Sequence, residues 1–338
     1  MIWFTGDINL TEHSFDVGFG VGTMIKKGGD PFNRIKKDPG DVWVGNFEGV
    51  CSDVSELNGY NKNTFRLPTI DLYNISPLID YYGLANNHVM EHGEQAYRET
   101  VIALKNVCKG TFGSVEEKYV TFEHQGKSVS VMGFSLRNDQ LGFKPLYWVF
   151  PENHEIEKEF EEIKKSDFKV AYLHWGVEFV DHPYHEQKRF AHWLIDIGFD
   201  LVVGMHPHVV QGFEIYNGKY IFYSLGNFVF NMAWAPSKFG LIVNVDLHKG
   251  EVGYNYIKID KSFSPEIVSE GTVPEKWRMS ALCPQIPNNE NVEPYIAKAN
   301  IGLGEYRKAN YKYMINNITK YNYKVTFAMI VDFIRRRF

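Results

Sequence analysis

The sequence predicts an α/β protein in which strands and helices alternate, with two packed sheets flanked by helices as one form of that class. Apolar runs of strand length alternate with helical patterns along the first 260 residues. In the predicted helix Tyr184–Ile197, Phe190, Leu194 and Ile197 share one face at the i, i+4, i+7 spacing of an amphipathic helix. Asn217-Gly218, between two apolar segments, predicts a β-hairpin.

The bounds of the predicted elements follow from these runs. Strands are predicted at Met1–Thr5, Val42–Gly45, Tyr82–Ala85, Ser128–Phe134, Lys169–His174, Leu201–Val203 and Tyr220–Tyr223. Helices are predicted at Asp71–Tyr81, Glu94–Cys108, Asn153–Lys165 and Tyr184–Ile197. Two later segments, Gly240–Leu247 and Tyr254–Ile259, are expected to pair antiparallel near the edge of a sheet.

Composition and charge indicate a globular body with a basic appendage. The chain has 338 residues, 44% hydrophobic and 23% charged, enough for one large domain and a smaller region. The pattern changes at Lys261, so we predict a domain over residues 1–260 and, over 261–338, a connector followed by basic helical patterns at about Val292–Lys320 and Tyr323–Arg337. From Asn291 onward nine Lys or Arg outnumber three Asp or Glu, a charge of +6 beside a body of −11. The tail either binds an anionic partner or is a solvated helical face, and the acidic body argues against nucleic-acid binding.

Cysteine usage and the N-terminus predict a cytoplasmic protein. Cys51, Cys108 and Cys283 have no metal-ligand spacing, which is typical of reduced thiols. Ile2-Trp3-Phe4 leads directly into Gly6-Asp7, so no signal peptide is visible, although an export signal removed beforehand would leave the same pattern. No apolar run reaches the roughly 18 residues that cross a bilayer.

Five polar clusters follow apolar runs where strands are predicted to end. They are Gly6-Asp7, Gly45-Asn46-Phe47-Glu48, Asn86-Asn87-His88, His174-Trp175-Gly176 and Gly204-Met205-His206-Pro207-His208. Because open α/β folds build their sites at the carboxyl ends of the strands, we expect these clusters to converge. Asp, Glu, Asn and His in such a set predict a metal-dependent hydrolase.

A metal ion that activates water needs oxygen or imidazole ligands and an open coordination position. Six residues supply these groups, namely Asp7, Glu48, Asn87, His174, His206 and His208. The set fits two divalent ions, or one ion with supporting hydrogen bonds, and Mn, Fe, Zn and Mg are the candidate metals. His206 and His208 stand at i and i+2 after an apolar strand, so an extended backbone would point both imidazoles at one ion.

Two further residues are predicted to act beside the ligands. His88 follows Asn87 directly and therefore points elsewhere, which makes it a candidate general acid for the leaving group. Glu178, four residues after His174, is a candidate base, a candidate ligand, or a partner that orients an imidazole.

Seven segments carry a resemblance to a known family. They are Phe4-Thr5-Gly6-Asp7, Asn46-Phe47-Glu48, Phe65-Arg66-Leu67-Pro68, Ala85-Asn86-Asn87-His88, His174-Trp175-Gly176-Val177-Glu178, His206-Pro207-His208 and Tyr223-Ser224-Leu225-Gly226-Asn227-Phe228. In this order and spacing the chain, from Trp3 to about Val245, resembles the poly-γ-glutamate capsule-synthesis CapA family of the calcineurin-like metallophosphoesterase superfamily. The resemblance implies a four-layer α-β-β-α sandwich with metals at the strand ends; the helical C-terminal appendage lies outside it.

The resemblance also implies roles for individual residues. Asp7 matches the first metal-binding aspartate of the superfamily, and Asn87-His88 matches its pair of ligand and acid. His174 matches the isolated histidine, while His206 and His208 match the closing Gly-His-x-His motif.

The sequence departs from the superfamily pattern at two positions. Asn9 stands where phosphoesterases usually have the histidine of Asp-x-His, and Glu48 stands where they have the bridging aspartate. Arg66, within one of the matching segments, offers a guanidinium that either binds a carboxylate or phosphate bidentately or forms a surface ion pair.

The predicted function is that of a metal-dependent hydrolase or transferase in bacterial capsule or exopolysaccharide synthesis. It would act on a phosphoester or an amide bond of an anionic polymer, or on a phosphorylated small substrate, since metal-activated water attacks either bond. The alternative is a non-catalytic metal- or polymer-binding partner of a capsule assembly or export complex. The expected partners are therefore the substrate and the capsule assembly machinery, and not nucleic acid.

The last predicted helix, Tyr323–Arg337, has two interpretations. Its apolar face consists of Phe327, Ile330, Val331, Ile334 and Phe338, with Arg335, Arg336 and Arg337 beside it. A basic amphipathic helix can lie in the interface of an anionic membrane, which would place the protein at the inner face of the membrane. The interpretation that we favour is that the apolar face packs on the main domain or on a second subunit.

Overall fold

The computed structural model describes residues 1–139, 142–288, 292–323 and 325–327, and only the backbone at position 60. Within these residues the strands are β1 (Ile2–Ile8), β2 (Val42–Phe47), β3 (Val50–Cys51), β4 (Arg66–Leu67), β5 (Tyr81–Gly83), β6 (Gly110–Phe112), β7 (Tyr119–His124), β8 (Lys127–Ser135), β9 (Phe168–His174), β10 (Leu201–Met205), β11 (Phe213–Tyr216), β12 (Lys219–Phe222), β13 (Asn227–Val229), β14 (Phe239–Asp246), β15 (Glu251–Ile259) and β16 (Pro265–Val268). The α-helices are α1 (Val21–Lys26), α2 (Glu94–Lys105), α3 (Asn153–Ile163), α4 (His185–Ile197), α5 (Met279–Leu282) and α6 (Val292–Asn316).

Most of the strands belong to two sheets. The first has the order β16-β15-β14-β1-β2-β5-β6, with β13 alongside β1, and the second has the order β11-β12-β10-β9-β8-β7. In the first sheet β1, β2, β5 and β6 are parallel, while β14, β15 and β16 run antiparallel to their neighbours. In the second sheet β8, β9, β10 and β12 are parallel, and the two edge strands are antiparallel. Strands β3 and β4 form a separate short pair.

Three clusters of buried side chains hold these layers together. Side chains of both sheets meet in one cluster, to which Phe4 of β1 and Val203 of β10 belong. Helix α2 covers the other face of the first sheet, where Leu104 packs. Helices α3 and α4 cover the second sheet with Phe160 and Leu194. This is the four-layer α-β-β-α sandwich that the resemblance implied, and the predicted α/β class is confirmed.

Most predicted elements are present, and one helix is wrong. The seven predicted strands correspond to β1, β2, β5, β8, β9, β10 and β12, and the hairpin at Asn217-Gly218 joins β11 to β12. The helix predicted over Asp71–Tyr81 is instead a 3-10 turn over Thr69–Asn74, followed by extended chain and β5. Pro77 explains the difference, because proline cannot donate its backbone N–H and disfavours helical geometry at the residue before it. The two later strands pair antiparallel as predicted, as β14 and β15, and only β16 separates them from the edge of the first sheet.

Two glycines let backbone segments approach closely at the carboxyl end of the central strands. A Cβ atom on Gly204 would lie 2.1 Å from the carbonyl oxygen of Tyr223, and one on Gly6 would lie 1.8 Å from that of Gly226. The backbone N–H of Asp7 donates to the same Gly226 carbonyl at 3.1 Å. The segment 223–226 therefore ties β1 to β10, and this contact brings the polar residues that follow the two strands together.

The C-terminal region begins as an extension of the first sheet. Strand β16 pairs with β15, beyond the domain boundary that we predicted at residue 260. The predicted helix Val292–Lys320 corresponds to α6 and a 3-10 turn over Ile318–Lys320. The amphipathic face predicted around Ile330 to Phe338 lies outside the described residues. In the part of the chain that is described, no helix is both long enough and apolar enough to cross a membrane.

Candidate metal centre

The six predicted metal ligands lie together at the carboxyl ends of the central strands. They are Asp7 in β1, Glu48 after β2, Asn87 after β5, His174 at the end of β9, and His206 and His208 after β10. All six are buried. Strand register explains the convergence within each sheet, since Asp7 pairs with Asn46 across β1 and β2, and Met205 pairs with His174 across β9 and β10.

One group of ligands surrounds His174. Its Nε2 atom lies 2.7 Å from Asn87 Oδ1, 3.0 Å from His206 Nδ1 and 3.8 Å from Glu48 Oε1. The ligand atoms of Glu48, His174 and His206 all lie within 4.8 Å of one another. Two ligands that each bind the same ion at about 2.1 Å stand about 3 to 3.5 Å apart, so this spacing suits one shared cation.

A second group surrounds Asp7 and also includes Glu48. The ligand atoms of Asp7, Glu48 and His208 lie within 4.8 Å of one another. His208 Nε2 is 3.8 Å from Glu48 Oε1, and its Nδ1 is 3.5 Å from Asp7 Oδ2. Glu178, His206 and His208 form a third group with the same spacing. Glu48 thus stands between two groups, which is the position of a bridging carboxylate.

The electrostatics of the cluster fit a bound cation. Neither carboxyl oxygen of Glu48 accepts a hydrogen bond from an N–H or hydroxyl group among the described residues, and His206 Nε2 has no hydrogen-bond partner among them. Burial, and then the nearby charge of Asp7, raise the pKa of Glu48 well above its usual range. Burial lowers the pKa of His208 to about 3 and that of His174 well below its usual range, so both imidazoles are neutral and keep a lone pair for a metal. Buried carboxylates without partners are costly, and a divalent cation would stabilise them.

His206 and His208 reach the cluster by a different route from the predicted one. Strand β10 ends at Met205, and both histidines have positive φ angles, 97° and 57°. The extended i, i+2 geometry is therefore wrong, and a tight turn around Pro207 brings in the two rings, whose centroids lie 5.9 Å apart. Non-glycine residues in this conformation are strained, and such strain concentrates at functional sites.

Three asparagines orient the ligands, and sequence reasoning assigned them no role. Asn46 Nδ2 donates to Asp7 Oδ1 at 2.8 Å, and Asn86 Nδ2 donates to Asn46 Oδ1 at 3.1 Å. Asn227 Oδ1 lies 2.9 Å from His208 Nδ1, an arrangement in which that nitrogen carries the proton and Nε2 is free to bind a metal. Their presence in the motifs that carry the family resemblance was the available signal.

His88 lies beside the ligand groups. Its Nδ1 is 2.6 Å from Glu91 Oε2, and its Nε2 is 3.9 Å from Glu48 Oε1. Its ring stacks on Phe65 with centroids 4.0 Å apart. The imidazole is thus held by a carboxylate on one side and a phenyl ring on its face, which suits a positioned proton donor.

Two other residues that the sequence singled out do not contribute to the cluster, the candidate Arg66 and Asn9, which replaces the usual histidine. The guanidinium of Arg66 donates to the backbone carbonyls of Lys62 and Ser52, and the residue lines a separate groove. The structure therefore does not bring Arg66 to the metal centre. Asn9 Oδ1 accepts hydrogen bonds from the backbone N–H and the hydroxyl of Thr11, at 2.8 and 2.7 Å, so it supports a turn in place of a metal.

A cavity of about 350 Å³ opens onto the cluster. It is lined by His13, Ser14, Phe15, Phe65, His88, Glu178, Phe179, His208, Phe230, Met232, Tyr306, Arg307, Asn310, Tyr311 and Met314. The ring of His13 packs against Phe65 and Phe230, which also pack against His88 and His208. His13 Nε2 has no hydrogen-bond partner among the described residues. Sequence reasoning missed this histidine, which lies outside the quoted motifs.

A buried carboxyl anchors the loop that carries His13. Asp16 Oδ1 accepts a hydrogen bond from the backbone N–H of His13, and Asp16 Oδ2 accepts one from Asn231 Nδ2, both at 2.6 Å. Burial raises the pKa of Asp16 to about 8. Because this folded-state pKa exceeds the unfolded value of about 4, the contribution of Asp16 to stability is complete below about pH 4 and is lost as the pH rises toward 8.

Asparagine has the shape of aspartate but does not titrate, so replacing Asp16 by asparagine removes this pH dependence of stability. We expect Asp16→Asn to gain stability relative to the wild type as the pH is raised from about 5 to 7.5, by a few kcal/mol. Urea unfolding of both proteins at several pH values measures the difference, and matching circular dichroism spectra establish that both are folded. A difference that stays constant over this range would contradict the raised pKa.

The comparison with known proteins identifies the family. The family model described as "Bacterial capsule synthesis protein PGA_cap" matches residues 1–232. The chain belongs to this family. Family members similar to it include the PGA biosynthesis protein CapA of Bacillus subtilis, 35% identical over 180 residues, and the capsule biosynthesis protein CapA of Bacillus anthracis, 31% identical over 177 residues. These matches cover 50% and 48% of this chain and 47% and 43% of the two relatives, so the matched region spans less than half of either relative.

Two solved structures are among those similar to this chain. One is a phosphatase from Mycoplasma pneumoniae, with 12% identity, a TM-score of 0.47, and coverage of 78% of this chain and 95% of that one. Another is a 5′-nucleotidase from Candida albicans, with 16% identity, a TM-score of 0.46, and coverage of 92% and 58%.

Proposed function

We propose that this protein is a metal-dependent hydrolase or transferase of bacterial capsule synthesis. It acts on a phosphoester or amide bond of an anionic polymer, or of a precursor of that polymer. The family and the names of the two Bacillus relatives support the link to capsule synthesis. Contact with capsule assembly machinery and a position at the inner face of the membrane belong to the same proposal.

One observation carries the catalytic part of this proposal. The carboxyl group of Glu48 is fully buried, accepts no hydrogen bond from an N–H or hydroxyl group among the described residues, and lies 3.8 Å from the Nε2 atoms of both His174 and His208. An uncompensated carboxylate in such a place costs several kcal/mol unless a cation is present. The donor set of two carboxylates, an amide oxygen and three imidazoles suits Mn, Fe or Zn.

The residues around the ligands have separate tasks in such a reaction. A divalent cation held by Asp7, Glu48 and the histidines would polarise water and the bond that is broken. His88 donates a proton to the departing oxygen or nitrogen, because its ring is fixed at the cavity wall. Glu178 lies within reach of His206 and His208, where it binds the cation or orients an imidazole.

Metal content and turnover together test the proposal. We expect the purified protein to contain at least one equivalent of a transition metal by mass spectrometry. It should also hydrolyse bis(4-nitrophenyl) phosphate in added Mn²⁺ and lose this activity in a chelator. Metal without turnover of this ester or of amide-linked acidic polymers would favour a non-catalytic binding partner. A protein that binds no divalent cation would overturn the metal-dependent enzyme and the metal-binding partner alike, and only a polymer-binding partner would remain.

A further inference from the structure

Helix α6 forms one wall of the cavity over the metal centre. Five of its residues line that cavity, namely Tyr306, Arg307, Asn310, Tyr311 and Met314. The helix begins at Val292, well beyond residue 232, where the match to the family model ends. The wall is therefore a feature of this chain that the family-matched part of the sequence does not supply.

The helix is held firmly against the residues that follow β9. A Cβ atom on Gly302 would lie 2.6 Å from the carbonyl oxygen of Phe179, so only glycine permits this approach. The ring of Tyr306 stacks on Phe179 with centroids 4.5 Å apart. Lys298 Nζ lies 2.6 Å from Asp181 Oδ1 at the start of the same contact. These contacts fix the position of α6, and so of the residues after Tyr306 that line the cavity, such as Arg307 and Asn310.

Arg307 differs in charge from the other residues of this cavity. It is the one lysine or arginine among the described residues that line the space, where the single acidic group is Glu178. Within the described part of the chain no carboxylate forms an ion pair with Arg307, whereas Lys298 of the same helix pairs with Asp181. Its side chain is exposed to the cavity mouth and to solvent.

We propose that Arg307 is a specificity-determining residue that binds a second anionic group of the substrate beside the group that reacts. A guanidinium recognises the planar or tetrahedral oxygens of a carboxylate or phosphate through paired hydrogen bonds. This inference rests on the proposed function, because it assumes that the reacting group lies at the metal centre. Since Arg307 is exposed, its contribution falls as the ionic strength rises.

Equilibrium binding of stable analogues separates this role from turnover. The probes are phenylphosphonate, 4-carboxyphenylphosphonate and benzene-1,4-diphosphonate, titrated calorimetrically into the full chain in Mn²⁺. The first carries only the reacting group, and the other two add a carboxylate or a second phosphonate. The proteins are the wild type, Arg307→Gln and the matched control Lys308→Gln, which removes the adjacent exposed charge that does not line the cavity.

We expect the wild type and the Lys308 variant to bind at least one two-anion probe about fivefold more tightly than phenylphosphonate, the scale of one partly exposed ion pair. In Arg307→Gln this preference should disappear, while phenylphosphonate affinity and metal content stay unchanged. The two-anion probe whose affinity exceeds that of phenylphosphonate by more shows whether the site prefers a carboxylate or a phosphate. Equal binding of all probes to the wild type, or a preference that survives in Arg307→Gln, would overturn the inference. A wild-type protein that binds no metal or shows no turnover would instead count against the proposed function.

Discussion

Replacing Glu48 by glutamine is expected to remove at least one metal equivalent from the protein. Glu48 belongs to two of the three ligand groups, one with His174 and His206 and the other with Asp7 and His208. An amide is a weaker ligand than a carboxylate because its oxygen carries no formal negative charge, so it is a poor bridge between two cations. The loss should therefore exceed that caused by replacing a ligand that serves a single group.

In the metal-free protein the same substitution should not lower the stability of the folded state. Burial and the charge of Asp7 raise the pKa of Glu48. At neutral pH the metal-free folded protein must therefore either keep Glu48 protonated or bury its negative charge, and both cost stability relative to the unfolded chain, in which Glu48 is ionised in water. We expect metal-free Glu48→Gln to be at least as stable as the metal-free wild type. Metal at about 100 times its dissociation constant adds roughly 2.7 kcal/mol of stability, and the variant should lose most of that gain.

Two measurements check these expectations together. Mass spectrometry after dialysis against Mn²⁺ or Zn²⁺ gives the stoichiometry, and thermal unfolding with and without metal gives the stability. Glu117→Gln is the control, because that carboxylate is exposed, pairs with Lys105 and belongs to none of the three ligand groups found among the described residues. Full metal content in Glu48→Gln, with an undiminished metal-induced shift in melting temperature, would show that Glu48 is not a ligand.

The positions of the candidate ligands were predictable because they depend on short-range patterns. An apolar run followed by Asp7, Glu48 or His174 places the polar side chain at the end of a parallel strand. Parallel strands of one sheet have their carboxyl ends at one edge, so the residues converge without any knowledge of the loops. The structure places all six predicted ligands in one buried cluster. The rule accounts for convergence within each sheet, and the close approach of β1 to β10 joins the two sets.

Other features depend on contacts that the local pattern does not contain. The turn at Pro207, with positive φ at His206 and His208, is set by the surrounding packing, whereas periodicity alone favoured extended chain. The orientation of Arg66 depends on two backbone carbonyls, at Lys62 and Ser52, that become neighbours only in the folded chain. Helix α6 has an unremarkable sequence pattern, and its place over the cavity depends on long-range contacts such as Tyr306 with Phe179.

His88→Asn is expected to keep its metal and to lose at least ~10²-fold in rate, the scale of general acid catalysis. His88 is not a member of any of the three ligand groups found among the described residues. Its Nδ1 is engaged by Glu91 at 2.6 Å, so Nε2 is the nitrogen that faces the reaction. Asparagine can preserve a hydrogen bond to Glu91 but cannot deliver a proton, so chemistry should suffer while the cluster stays assembled.

The dependence on the leaving group distinguishes an acid from a structural residue. A general acid matters most when the departing oxygen is strongly basic, because that oxygen needs the proton in the transition state. We therefore expect the rate ratio of wild type to His88→Asn to be larger for a phenyl ester than for a 4-nitrophenyl ester of the same phosphodiester.

Glu91→Gln should show a smaller loss of the same kind, since it weakens the orientation of the ring and leaves the imidazole in place. The exposed His154→Asn is the control for histidine loss in general. Equal losses for both esters, or loss of metal from His88→Asn, would assign His88 to binding or to the metal and remove it from proton transfer.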